Sequence, residues 1–93
     1  MPKVTLEGYI LVPNEDLALV LQDLPQHIRN TQSESGCLIF NVEQQKDNPN
    51  KFIVYEEFIN KEAFEFHQER VRNSQWGKAT RNVQRHYQIQ DAS

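Results

Sequence analysis

In the run Phe52-Ile53-Val54-Tyr55-Glu56-Glu57-Phe58, side chains fall alternately on two sides. Phe52, Val54, Glu56 and Phe58 point one way; Ile53, Tyr55 and Glu57 point the other, and Ile59 continues the second row. That alternation is the period of a β-strand, here spanning 51–59. Both rows are largely apolar, so something must cover each side. Glu56 shares its row with three bulky apolar residues, and a carboxylate in such company is costly unless it is paired or reaches a pocket.

The polar loop Lys46-Asp47-Asn48-Pro49-Asn50 precedes this strand. It joins it to a second one, Cys37 to Gln45, with Leu38, Phe40 and Val42 on one face, and the two form an antiparallel hairpin. Val4 to Val12 reads as a further strand, with Val4, Leu6, Gly8, Ile10 and Val12 on one side and Tyr9 and Leu11 on the other. Between these strands lies a helix. Asn14 is its expected N-cap, Glu15 and Asp16 suit its positive end, and Leu17, Val20, Leu21, Leu24 and Ile28 fall at helical spacing. Pro25 predicts a kink or break, and Gly36 a left-handed C-terminal stop.

After the 51–59 strand, Asn60 is placed to cap a second helix whose inward stripe is Ala63, Phe64, His67 and Val71. Ser74 caps a short third helix with Trp76, Ala79, Thr80 and Val83 on one side. A last strand runs from Val83 to Ile89, and Asp91-Ala92-Ser93 is expected to fray. The order βαββαβ, with right-handed crossovers, predicts an α+β fold: a ferredoxin-like four-stranded antiparallel sheet with helices on one face, in a single domain spanning 1–93.

Length sharpens this. A chain of 93 residues buries only about 60–65% of the surface its unfolded form exposes. The hydrophobic fraction is 38%, yet apolar residues occur on both faces of the strands. Tyr9, Leu11, Ile39, Ile53, Tyr55 and Ile59 would lie on the face without helices. A patch of that size calls for a partner, and pairing two copies through these sheet faces predicts a homodimer. Burying four such side chains would contribute roughly 6–10 kcal/mol before entropy costs.

Several classes are excluded. The single cysteine, Cys37, rules out an intramolecular disulfide and a CxxC site, which fits a cytoplasmic setting; it reads as a small packing residue. No apolar run reaches membrane-spanning length, and no signal-peptide core follows the N-terminus. A net charge of -3 argues against nucleic acid. The charge is uneven: residues 1–60 carry 4 basic and 9 acidic groups, and residues 61–93 carry 6 and 4. Arg70, Arg72, Lys78, Arg81 and Arg85 lie in the basic end, which reads as a solvated helix face. His27, His67 and His86 lack the spacing of a metal site, and no Gly-rich loop offers a phosphate cradle, so neither metal nor cofactor is expected.

The residues that carry chemistry are then Glu56 and His67. The inward stripe of the second helix brings His67 toward the row that holds Glu56, making a candidate acid/base pair between sheet and helix. The same pair could equally be a buried hydrogen bond that only fixes the helix. Phe40, Phe58, Phe64 and Trp76 are candidate pocket walls, or ordinary core.

Three segments together resemble the antibiotic biosynthesis monooxygenase family, near its small quinol-oxidising members. They are Gly36-Cys37-Leu38-Ile39-Phe40, the Tyr55-Glu56 pair on a strand, and Ala63 followed four residues later by His67 on the next helix. The resemblance implies a dimeric α+β barrel with a pocket in each subunit. It also implies oxidation of quinols or related small aromatic molecules by O₂ without metal or flavin, with Glu56 and His67 moving protons. A second histidine common in the family is missing: Asn73-Ser74-Gln75-Trp76 stands in its place. The haem-degrading branch is also not matched, since Gly8, His67 and Gly77 occupy its site positions. The helix and strand look almost as much like a branch that isomerises a phosphorylated sugar. Acid/base isomerisation of a small, phosphorylated metabolite is therefore the alternative, and a non-catalytic dimeric binding module is a third.

Overall fold

The computed structural model describes residues 3–91. Four strands, β1 (Val4–Leu11), β2 (Cys37–Gln44), β3 (Lys51–Phe58) and β4 (Gln84–Asp91), form one antiparallel sheet in the order β2-β3-β1-β4. The helices α1 (Asn14–Gln32), α2 (Lys61–Arg72) and α3 (Gln75–Ala79) complete the βαββαβ order of a ferredoxin-like fold, with a short extra helix before the last strand. Asp91 ends β4 paired with Val4 rather than fraying; residues 92 and 93 lie outside the described residues.

Alternation along β1 and β3 sorts their residues as expected. Val4, Leu6 and Ile10 of β1 and Phe52, Val54, Glu56 and Phe58 of β3 are buried under the helices. The core has two apolar clusters. Ile10, Val12, Val20, Phe52, Trp76, Ala79 and Val83 make one; Val4, Leu6, Val54, Phe58 and Phe64 make the other. Buried polar groups accompany them: His27, Thr31, Glu56, His67 and Thr80.

The caps of α2 and α3 form as predicted. Asn60 Oδ1 accepts from the Ala63 backbone N–H at 2.8 Å, and Ser74 Oγ accepts from the Gly77 N–H at 3.1 Å. The start of α1 differs. Pro13 holds the cap position with no side-chain bond, and Asn14 is the first helical residue. Its Oδ1 accepts instead from Asn50 Nδ2 at 2.8 Å, and the same nitrogen donates to the Val12 carbonyl at 2.8 Å. One carboxamide thus ties the β2–β3 loop to the junction of β1 and α1.

Pro25 does not break α1, which runs through it to Gln32. Pro25 and Leu21 both lie on the solvent side, where water can replace the bond proline cannot make. The buried residues of α1 are Val20, His27 and Thr31, with Leu17 and Leu24 packed beside them, while Leu21 is 41% exposed. Spacing of 4, 3 and 4 through 20, 24, 27 and 31 keeps those residues on one helical face and turns Leu21 away from it. Gly36 is no helix stop either. Ser33 caps the helix, and Gly36 lacks a positive φ. Its role is close approach: a Cβ there would stand 2.4 Å from that of Ala63, so glycine lets β2 begin against α2.

Register shifts at a bulge between Cys37 and Ile39, so Leu38 leaves the inner row and is 53% exposed, while Phe40 stays buried. The helix layer stops short of β4. By register Arg85, Tyr87 and Ile89 lie on the inner side, opposite Ile10, Gly8 and Leu6, yet Tyr87 and Ile89 remain partly open. On the outer face Ile39 and Ile53 are exposed, His86 stacks on Tyr9 with centroids 4.7 Å apart, and Lys51 Nζ stands 4.2 Å over the Tyr9 ring. Ile59 is not on that face as expected: β3 ends at Phe58, and Ile59 turns toward Gly36 and Ala63 beside α2.

Candidate active site

β3 and α2 bring the two predicted residues face to face. His67 Nε2 stands 3.7 Å from Glu56 Oε1, beyond hydrogen-bond range. Both side chains are almost fully enclosed, and Glu56 Oε1 is buried with no hydrogen-bond partner. A carboxylate held this way is stable only if protonated: burial, and then the charge of Glu34, push the Glu56 carboxyl up to about 8. At neutral pH it is an acid.

The other ring nitrogen explains how His67 is held. His67 Nδ1 lies 3.1 Å from Glu34 Oε2. With a carboxylate at that distance Nδ1 carries the proton and donates, which leaves the Nε2 lone pair facing Glu56 and the cavity. Arg70, one turn further along α2, donates through Nε to the same Glu34 oxygen and through Nη2 to Thr31 Oγ1 at 3.0 Å. Burial lowers the His67 pKa, Glu34 opposes that shift, and the Arg70 charge adds to it. The result is a neutral imidazole with a fixed tautomer next to a neutral carboxylic acid.

A cavity of about 160 Å³ opens onto this pair, bounded by Leu6 and Ile10 of β1, Arg85 and Tyr87 of β4, and Gln68, Val71, Trp76 and Thr80 from the helical side. His27 also lines it and stacks flat on Trp76, with centroids 4.5 Å apart and planes at 5°. Burial, and then the charges of His67 and Arg70, push the His27 imidazole down to about 3, so it is neutral. The stacked pair is a partition. Behind it is a second hollow of about 100 Å³ that Asp23 helps to line, and His27 Nδ1 and Asp23 Oδ2 are both buried without partners.

Of the four expected wall residues, Trp76 alone lines the cavity. Phe40 and Phe58 pack on the His67 ring instead, at 5.9 and 4.8 Å, and Phe64 lies against Phe58 at 5.6 Å. They orient the imidazole and fill the core beside it. The larger depression, about 590 Å³, is a shallow one on the outer sheet face around Tyr9, Tyr55 and His86, away from the acid/base pair. Cys37 is no nucleophile: burial, then the nearby Glu34 and Glu56, push its thiol up. Among the described residues no group of three or more His, Cys, Asp or Glu could hold a metal ion, and no helix is long and apolar enough to cross a membrane.

Glu34, Arg70, His27, Thr31, Arg85 and Tyr87 were not singled out as site residues by sequence reasoning. For Arg70 a signal exists, since it stands three residues after His67 on the same helical face. For His27 the signal is the 20, 24, 27, 31 spacing. Glu34 sits in a turn, and its position carries no periodicity.

The fold is shared widely among solved structures. A conserved protein of unknown function from Bacteroides thetaiotaomicron superposes with a TM-score of 0.79 at 13% identity, covering 97% of both chains. A provisionally named antibiotic biosynthesis monooxygenase from Nitrosomonas europaea gives 0.76 at 17% identity, over 98% of this chain and 96% of that one. Another provisionally so named, from Deinococcus radiodurans, gives 0.73 at 23% identity, over 97% and 92%. No functionally curated protein matches. The sequence pattern of the family described as antibiotic biosynthesis monooxygenase matches residues 4–79, from the first strand through α3, and takes in Glu34, Glu56, His67 and Arg70. The chain belongs to the antibiotic biosynthesis monooxygenase family.

Proposed function

We propose that the protein oxidises a quinol or a related small aromatic molecule with O₂, without a cofactor, in the cavity between Glu56 and His67. The observation that carries this reading is the 3.7 Å gap between Glu56 Oε1 and His67 Nε2, with an unpartnered acid on one side and a lone pair on the other. A ring hydroxyl in the adjoining cavity, placed beside the pair and not in line between its two atoms, donates to Nε2 and accepts from the Glu56 acid. Glu34 steadies the imidazolium that forms, as the acidic member of a triad does.

The overall change balances without another reductant: quinol plus O₂ gives hydroxyquinone plus water. His67 takes the hydroxyl proton. The resulting anion is electron-rich enough to pass an electron to O₂, and recombination forms the ring carbon–oxygen bond. The peroxide so formed takes back the proton held by His67. Protonated Glu56 then gives a second proton to the departing oxygen, which leaves as water as the O–O bond breaks, and the hydrogen on the attacked ring carbon is lost as a proton that restores the Glu56 acid. The cavity suits one ring. Pockets for drug-sized ligands run to about 300–1,000 Å³, and this one is about 160 Å³.

Oxygen-electrode traces with single-ring quinols such as hydroquinone test the proposal. Uptake above autoxidation that is lost in His67→Ala and Glu56→Gln supports it; uptake indifferent to both substitutions removes those residues from the chemistry. The same acid and base could serve an isomerisation, a reading favoured by the Arg85 cation in the cavity wall, which suits a phosphorylated substrate. Turnover that persists under anaerobic conditions would select isomerisation.

A further inference from the structure

Arg85 sits on the inner row of β4, opposite Ile10, and forms part of the wall of the Glu56–His67 cavity. One edge of its guanidinium is anchored: Nη2 donates to the Thr80 carbonyl at 3.1 Å and to Thr80 Oγ1 at 3.3 Å. Thr80 is buried, and its hydroxyl donates in turn to the Trp76 carbonyl at 2.7 Å, so the anchor is the C-terminal end of α3. Among the described residues no carboxylate pairs with Arg85, and the one charged pair at the site is Arg70 with Glu34.

Tyr87 follows on the same row and borders the same cavity. Burial, then the nearness of Glu56, push its phenol up to about 12 against the charge and hydrogen bond of Arg85, so it keeps its O–H while its oxygen faces the guanidinium. The cavity wall therefore carries two kinds of polar group. On β3, Glu56 Oε1 is buried and unpartnered beside His67. On β4 stand a positioned cation, paired with no carboxylate among the described residues, and a phenol. A guanidinium anchored through Nη2 keeps its Nε and Nη1 N–H groups, each able to donate to an oxygen of an anionic group.

We infer that Arg85 and Tyr87 form an anion subsite, and that the ligand is a hydroxylated ring that also carries an anionic oxygen group, a carboxylate or a phosphate. This rests on the reading that a ring hydroxyl lies against the Glu56–His67 pair, and it narrows the substrate class from neutral quinols to acidic ones. Orientation follows from it: two groups of unlike chemistry on different strands hold the ring in one direction, which selects the carbon that O₂ attacks.

Calorimetric titration under anaerobic conditions tests the subsite separately from turnover. Three probes are compared on the intact protein: hydroquinone, 2,5-dihydroxybenzoate and 4-hydroxyphenyl phosphate. An acidic probe is expected to bind about tenfold or more tighter than hydroquinone, the scale of a charge-assisted contact. Arg85→Gln should bring that ratio down to about one. The tighter of the two acidic probes identifies carboxylate or phosphate as the group. Equal binding of all three, binding of none, or a preference that survives Arg85→Gln overturns the subsite; the comparison among probes on the unsubstituted protein needs no variant to fold. The two proposals fail separately. Quinol-dependent oxygen uptake with no acidic preference keeps the monooxygenase and removes the subsite, whereas tight acidic binding with no uptake does the reverse.

Discussion

Glu34 Oε2 lies 3.1 Å from His67 Nδ1, while Glu56 Oε1 lies 3.7 Å from His67 Nε2, so one carboxylate holds the imidazole and the other leaves room beside it. The first contact orients the ring, and the second leaves Nε2 unbonded to Glu56, so it can accept from a hydroxyl in the cavity alongside. A general base so placed is worth about 10²–10⁴ in rate. His67→Ala is expected to lower kcat for quinol-dependent oxygen uptake by that order. Activity within twofold of the unsubstituted protein would remove His67 from the reaction.

Glu34→Gln separates orientation from mere packing. The Glu34 charge raises the Glu56 carboxyl and supports the protonated form of His67. Catalysis needs Glu56 protonated and His67 neutral, so the rate should fall above about pH 8, where Glu56 ionises, and below the lowered pKa of His67. Without the Glu34 charge both limbs of the kcat/KM profile should move to lower pH. A purely structural residue would depress the rate and leave the limbs in place.

Glu56 should also make the fold weaker in alkali. Its carboxyl goes from 4.5 when unfolded to about 8 when folded, so between those values the folded state holds the proton and the unfolded state does not. Stability is then fully present below about pH 4.5 and falls by roughly 1.4 kcal/mol per pH unit as pH rises through the window. Glu56→Gln keeps the shape and removes the titration. Urea midpoints of the variant should be flatter with pH and higher than those of the unsubstituted protein near pH 8; parallel curves would contradict the buried, protonated acid.

Gly8→Ala tests the β1–β4 edge. Gly8 has φ +153°, and a Cβ there would fall 1.9 Å from the His86 carbonyl oxygen. The backbone conformation alone costs about 1–3 kcal/mol for a non-glycine residue, and the contact is with backbone that cannot swing aside. The variant should unfold at lower urea, with loss of amide protection concentrated in β4. Unchanged protection there would show that the pairing tolerates a side chain.

The outer sheet face predicts association. Ile39 and Ile53 are each 38% exposed in the single chain. Two copies joined through these faces would sediment as one species of about 22 kDa, twice the 11.0 kDa chain. Ile53→Lys should shift the population toward monomer. A monodisperse 11.0 kDa species at micromolar concentration would contradict the pairing.

Local periodicity made much of the architecture legible. The two-residue alternation of β3 set Glu56 among Phe52, Val54 and Phe58, and burial confirms that row. The caps at Asn60 and Ser74 were readable because a side-chain oxygen three residues before an N–H acts within one turn. Where a local signal misled, a contact from elsewhere overrode it. Asn14 does not cap α1, since Asn50 takes its oxygen; Gly36 is glycine for the sake of Ala63 on another helix; Leu38 leaves the inner row at a bulge.

The same division runs through the site. The sequence by itself determined the element order, the inner rows, and that a carboxylate and an imidazole would meet between β3 and α2. Those follow from the strand and helix periods, which act over a few residues. Only the tertiary structure decided that Glu34 and Arg70, 36 residues apart, share one contact, that Phe40, Phe58 and Phe64 pack around the imidazole while Trp76 alone among the predicted walls lines the cavity, and that Arg85 faces the space before Glu56. Such contacts depend on how far the helix layer extends over the sheet. That is set by summed packing across the whole fold, and no short stretch of chain encodes it.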